Sequence, residues 1–253
     1  MQESDALKYQ TQPPEILLAD FVKCFWCVTN PSSEGKRMTI LPDGYFDIIF
    51  SSTNKQPLRI LLIGLGTKQI EYVMPGNTAN FAISFKLLSL DYVLKTTIAG
   101  LVDKRINLPG DFWDMERCDL SDFNNFVKWT TEKMLVALDK NIDNRKRELS
   151  NLLYASNGSM SVQQISKNIF WSGRQINEYF TSRFGISLKK YCNILRFRAS
   201  FDHLKSGQLF PELNYFDQAH FIKEVRKFSG VTPKKLAKNK DDRFIQFSTL
   251  PEP

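Results

Sequence analysis

Histidine and cysteine are scarce: His203 and His220, with Cys24, Cys27, Cys118 and Cys192, are all that 253 residues provide. Cys24 and Cys27 form a CxxC, but no second cysteine pair follows and both histidines lie in the other half of the chain. A four-ligand zinc site is therefore not supplied, and no metal or cofactor is expected. Flanked by Phe25, Trp26 and Val28, the two cysteines read as thiols on a strand, with a thiol sensor or a metal ligand as the alternatives. The chain has no run of eighteen apolar residues and no basic-then-apolar leader in MQESDALKYQTQPPE. The expectation is a soluble, cytoplasmic protein with no membrane partner. Common enzyme equipment is also missing. Residues 1–144 hold no histidine, no nucleophile elbow and no P-loop, and Gly64-Leu65-Gly66 is too short a glycine signal to cradle phosphates. An enzyme is not expected.

Charge is present in quantity and unevenly placed. The chain carries a formal net charge of +7, yet residues 145–253 hold 19 Lys/Arg against 9 Asp/Glu and residues 1–144 hold 15 against 18. A positive excess confined to one half is the electrostatic footprint of phosphate-backbone binding, the plain alternative being a solvated basic face. The apolar fraction of 42% suffices for two ordinary cores.

One stretch in the basic half occurs twice, as FTSRFGISLKKY (Phe180 to Tyr191) and EVRKFSGVTPKKL (Glu224 to Leu236). Each copy reads as a helix running into a Gly C-cap, a short apolar link, and a Ser or Thr that caps the next helix. Before the first copy, Ser161 can cap a short helix burying Val162 and Ile165. Ser172 can cap a second with Ile176, Tyr179, Phe180 and Phe184 on one face. Before the second copy, a short helix near Pro211 to Leu213, a turn at Asn214 and a cap at Asp217 lead into a helix burying Phe221, Val225 and Phe228. Two helix-turn-helix units result, joined by a helix from Leu188 to about Ser206 that ends at Gly207.

That layout, over about Ser159 to Lys238, resembles the DNA-binding domain of the AraC/XylS family of transcription regulators. The pieces that carry the resemblance are Ser161-Val-Gln-Gln-Ile165, Ser172 with Ile176 and Phe180, Phe184-Gly185-Ile186-Ser187, and Tyr215-Phe-Asp-Gln-Ala-His-Phe221 followed by Gly230-Val231-Thr232-Pro233. Phe170 and Asn214 stand where the family has a turn Gly, and Val225 replaces a Phe. A Phe is unfavourable where φ must be positive, so a distorted first turn is expected.

The acidic half reads as strands at Val22 to Val28, Leu58 to Gly66, Lys68 to Met74 and Asn80 to Leu87. A hairpin, MTIL and YFDIIF around Pro42-Asp43-Gly44, joins them. Residues 1–12 read as a loose tail and Ile106 to Pro109 as a link. Ser89 is expected to cap a helix ending near Gly100. Ser121 is expected to cap another whose stripe of Phe123, Phe126, Val127, Met134, Leu135 and Leu138 serves either its own domain or a dimer seam. Leu41-Pro42-Asp43-Gly44 with Asp47 resembles the N-terminal β-rich domain of one subset of AraC-type regulators. Asp43 and Asp47 are either structural or in touch with a ligand. The fold class expected is α+β: a small β-barrel or sandwich (1–118), a helix and linker (119–147), and an all-α double helix-turn-helix domain (148–253).

A recognition helix enters the major groove with its N-terminal part against base edges. Arg174, Gln175, Asn177, Gln218, Ala219, His220 and Lys223 are the base-contacting candidates, with Glu178 expected to bond a neighbouring Arg. Phosphate contacts are expected from Ser161, Arg183, Ser187, Lys189, Lys190, Arg226, Lys227, Thr232, Lys234 and Lys235. The resemblance implies double-stranded DNA as partner, RNA polymerase as a second, and a small-molecule effector or a homodimer as further possibilities. Ligand-binding residues and the direction of control stay open. A constitutive architectural or RNA-binding protein is the rival reading.

Overall fold

The computed structural model describes residues 6–53, 56–210, 215, 217–240 and 243–248. Its first half is a β domain of two sheets. Strands β1 (Lys8–Gln12), β2 (Val22–Asn30), β4 (Phe46–Thr53), β5 (Gln56–Ile63), β7 (Thr78–Phe85) and β8 (Arg105–Asn107) form an antiparallel sheet in the order β1-β2-β7-β4-β5-β8. Strands β3 (Lys36–Ile40) and β6 (Ile70–Met74) pair as a second, two-stranded sheet.

Alternation along the central strands sets the faces. Phe25, Phe81 and Phe50 lie on one face of the large sheet against Phe126, which is fully buried on helix α2 (Phe123–Ala137). The apolar stripe of α2 is thus spent on its own sheet, which answers the choice between core and dimer seam for Phe126, Val127 and Met134. Trp26 and Val28 on the opposite face join Met38 and Met74 of the small sheet in a second apolar cluster.

Several local expectations are corrected. Residues 8–12 are a strand, because β2 offers them a free edge. Residues 105–107 likewise pair with β5. MTIL and YFDIIF do not form a hairpin: the turn at Asp43–Gly44 carries the chain from the small sheet to the large one, and β4 finds its partners in β5 and β7. Ser89 does not cap the four-residue helix α1 (Ser89–Tyr92), since its hydroxyl donates to the Lys86 carbonyl. Asp122, not Ser121, caps α2, accepting from the Asn124 amide. The linker expected to run to residue 147 gives way to helix earlier: Asp143 caps helix α3 (Asn144–Ala155).

The regular elements described in the second half are helices, apart from a single bridge from Phe244 to Thr39. Ser161 and Ser172 close full capping boxes on α4 (Val162–Ile169) and α5 (Gly173–Phe184), with Gln164 and Gln175 as the reciprocal partners. Ser187 caps α6 (Leu188–Lys205), Asp217 caps α7 (Gln218–Ser229) and Thr232 caps α8 (Pro233–Lys238). Gly185 and Gly230 end α5 and α7 in the left-handed region, where a side chain is strained. The short helix near residues 211–213 and the turn at Asn214 lie outside the described residues. Phe170 does not distort the first turn: it takes the left-handed conformation itself, at φ 56°. Among the described residues no helix is long and apolar enough to cross a membrane.

Candidate nucleic-acid interface

On α5 the burial of Ile176, Phe180 and Phe184 turns the opposite side outward. At about 3.6 residues per turn, Arg174, Asn177, Glu178 and Thr181 share one exposed stripe. Arg174 has a side chain 89% exposed and pairs with Glu178 at 2.7 Å, the neighbour expected for that carboxylate. Asn177 directs its side-chain oxygen to the Leu188 amide at 3.4 Å, so it also steadies the start of α6. Gln175 is placed differently from expectation. Its Oε1 accepts from both the backbone and the hydroxyl of Ser172, which occupies both lone pairs of the acceptor that pairing with adenine needs, whereas the Asn177 oxygen accepts one longer bond and keeps a lone pair.

The second unit repeats the arrangement. Phe221, Val225 and Phe228 are buried, and Ala219, Ile222, Lys223 and Arg226 form the outward stripe of α7. Gln218 and His220 flank it, with the His220 ring 5.7 Å from that of Tyr215 and its amide donating to Asp217. Arg226 therefore stands with the base-facing candidates rather than apart from them. Lys227 pairs with Glu224 at 3.1 Å. Lys189, Lys234 and Lys235 are exposed and Lys190 half-buried near the starts of α6 and α8, with the capping residues Ser187 and Thr232 beside them.

The 18 residues of α6 span about 27 Å and tie the two units together. Phe197 of α6 stacks on Phe228 of α7 at 5.1 Å, which fixes the second unit to the rod.

Arg183, expected from sequence to contact phosphate, is held instead against the β domain. It lies nine residues beyond Arg174, about half a turn round the helix, so it faces away from the outward stripe. Its guanidinium pairs with Asp91 at 2.6 Å and donates to the carbonyls of Leu90 and Thr96. Asp91, only 10% exposed, also accepts from Lys146 and from the Tyr179 hydroxyl, each at 2.8 Å. One carboxylate of the β domain thus gathers three donors from α3 and α5. The Ile98 amide donates to the Arg183 carbonyl at 3.0 Å, and Gly185 sits so close to the Ala99 carbonyl that a Cβ would approach it to 2.2 Å.

A second contact lies under α6. The Tyr191 hydroxyl donates to the Gly44 carbonyl at 2.8 Å and meets the Tyr154 hydroxyl at 2.9 Å. Tyr154 stacks on Tyr45, ring centroids 5.5 Å apart. Burial pushes all three phenols up, so they stay neutral, with Tyr191 donating and Tyr154 accepting from it and from the Leu87 amide. Asp43 in the same turn is raised by burial. Asp47 is pushed up to about 7, first by burial and then by the charge of Asp43, while it accepts from Ser84.

A third contact is made by the tail. The Thr39 amide of β3 donates to the Arg243 carbonyl, Arg243 pairs with Glu71, and Gln246 exchanges two hydrogen bonds with Leu41 at 3.0 and 2.9 Å. Beside Leu87, Lys146 and Phe180 lies a cavity of about 10 Å³, enough for a water at most. An open groove of about 720 Å³ lies elsewhere, between Asn30, Thr78 and Phe81 of the sheet and Phe123 of α2.

Sequence reasoning missed Asp91, Tyr154 and Tyr191. Their partners lie between 37 and 147 residues away along the chain, and no local pattern points to them. Cys24 and Cys27 do not act as a pair. Three residues apart on one strand they face opposite sides, and burial pushes the Cys24 thiol up to about 11 and the Cys27 thiol up as well. Two ligands on opposite faces of a sheet cannot share a metal.

A β-rich domain followed by two helix-turn-helix units on a common rod is the architecture in which this chain resembles the AraC/XylS regulators, and the fold is α+β. Residues 10–107 match the family described as "Domain of unknown function (DUF6597)". No curated protein matches the chain. Among solved structures, ToxT from Vibrio cholerae O395 is similar at 10% identity and a TM-score of 0.46, covering 96% of this chain and 99% of that one. A second ToxT structure, the 1.65 Å P21 form, gives 11% identity and 0.43 over 90% and 97%. Unsaturated fatty acid-bound wild-type ToxT from strain SCE256 gives 11% and 0.41 over 94% and 97%. All these TM-scores lie below 0.5, so the placement of residues rests on the geometry of this chain alone.

Proposed function

We propose that the protein is a sequence-specific transcription regulator that places α5 and α7 in successive major-groove turns of double-stranded DNA. The observation that carries the reading is the pair of outward stripes, Arg174 with Asn177 and Ala219 with Lys223 and Arg226, each on a capped helix and both fixed to α6. An Arg can donate two bonds to guanine, an Asn can pair with adenine, and an Ala can touch a thymine methyl. Lys189, Lys190, Lys234 and Lys235, with Ser161, Ser187 and Thr232 at their helix starts, are the phosphate contacts of this reading. Groove turns repeat at about 34 Å, so a rod of about 27 Å with a unit at each end suits adjacent turns of a bent duplex.

In this reading the β domain regulates by setting how the two units sit. Its contacts fall on Arg183, Tyr191 and the tail, behind the stripes, and leave Arg174 and Lys223 exposed. A small-molecule effector or a partner chain that moved the β domain would change the angle between the units. RNA polymerase would be the second partner at a promoter. The bound fatty acid of one ToxT structure is a precedent for testing apolar acids as effectors.

Selection from a random duplex library with the full chain tests the reading. The expected outcome is one enriched site, bound far more tightly than bulk DNA and steeply weakened by salt. Arg174→Ala should cost about 1–3 kcal/mol on that site and relax one base position. Equal binding to all sequences would replace the regulator with an architectural protein, and a preference for RNA would do the same for the duplex.

A further inference from the structure

Phe170 is 87% exposed, and it occupies a backbone conformation that costs a bulky side chain energy. A Gly would fit φ 56° without strain and leave no ring in water. Neither the turn nor the core gains from the Phe. The turn itself is held firmly. Trp171 points inward, edge-on to Tyr179 at 5.7 Å with Arg145 over its face, and its carbonyl accepts from Ser166. Ile169 on the other side is fully buried. The ring is thereby fixed outward, two residues before the Ser172 cap, at the end of α5 that carries Arg174. Along the chain Lys167 and Asn168 just before it and Arg174, paired with Glu178, just after it are exposed as well, so the apolar residue lies in a polar stretch that includes two cations.

From this placement we infer that Phe170 is a further specificity-determining residue, making an apolar contact with DNA at the groove edge, on a thymine methyl or the adjoining deoxyribose. The inference rests on the DNA-binding reading above. The occupant follows from the position of Phe170 ahead of the helix start that carries Arg174, the end of α5 that enters the groove in that reading, and a thymine methyl is the apolar group a major groove offers. Strain kept in the free protein is then offset on binding, where the ring leaves water.

The test uses the full chain on the duplex it selects, read by fluorescence anisotropy at several salt concentrations beside a thermal melt. F170G should melt at the same temperature or higher, yet bind three- to ten-fold more weakly with an unchanged salt slope, because no counterion release is lost. F170L should keep part of the affinity. Replacing thymines by uracil one at a time should expose a position where wild type loses affinity and F170G does not. Where no uracil position differs although F170G is weaker, the contact is to the sugar. Several results overturn the inference: F170G binding as tightly as wild type, a loss that F170L shares in full, or a loss that tracks a lower melting temperature. Unchanged binding with impaired transcription by RNA polymerase would give the ring to a protein partner instead. A wild-type chain that selects no duplex removes the DNA reading and this inference together, whereas a difference confined to F170G bears on Phe170 alone.

Discussion

Asp47 shows how one residue of the β domain makes stability depend on pH. Its carboxyl titrates at about 7 when folded and near 3.8 in the absence of the fold. Between those values the folded chain holds a proton that the unfolded chain has lost. Stability therefore falls as pH rises across this window, and no more is lost above it. Asp47→Asn keeps an acceptor for Ser84 and removes the charge beside Asp43. The variant should be more stable than wild type above pH 7 by roughly 1–3 kcal/mol, since each pH step within the window is worth at most about 1.4 kcal/mol, and the gap should close toward pH 4. Melting midpoints from pH 4 to 8 measure both, and parallel curves would remove Asp47 from the account.

Among the elements, the capped helices of the second half are legible in sequence because their signals are local. Ser161, Ser172, Ser187, Asp217 and Thr232 each stand within three residues of the amide they accept from. The inner strands are legible in place but not in pairing, and the edge strands β1 and β8 are not legible at all, since only their partners make them strands: β3 reads as a partner for β4, whereas Met38 joins Val28 and Met74 in the second apolar cluster. What no window of sequence can supply is the docking of one half on the other. Glycines separate the two kinds of information. Gly207 has φ 85° and open space where a Cβ would stand, so Gly207→Ala should cost only about 1 kcal/mol in backbone strain. Gly185 has φ 76° and the Ala99 carbonyl in the way, so Gly185→Ala should cost at least about 1 kcal/mol more. Chemical denaturation of the two variants measures the difference; equal losses would mean that the contact gives way freely.

At the scale of the whole molecule the two halves meet at Asp91, at Tyr191 and along the tail, with further contacts between Asp20 and Arg147 and between Gln69 and Gly230, and Asp91 is the most concentrated of these. Asp91→Ala would strand Lys146, Arg183 and Tyr179 in a half-buried site. A loss of about 3 kcal/mol is expected, with faster proteolysis of the full chain near residues 139–143. A melt unchanged by Asp91→Ala would show that the tyrosines and the tail suffice. The tail has a further consequence. Gln246 meets Leu41 across 205 residues of chain, so that seam carries a high loop-closure cost and forms only after both halves have their own structure. A chain cut before Arg243 would leave the β3 edge, and the side of the Phe201 ring that packs on Phe247, uncovered. Clipping ahead of Arg243 should therefore turn a closed surface into an adhesive one, while the Asp91 and Tyr191 contacts go on holding the halves together.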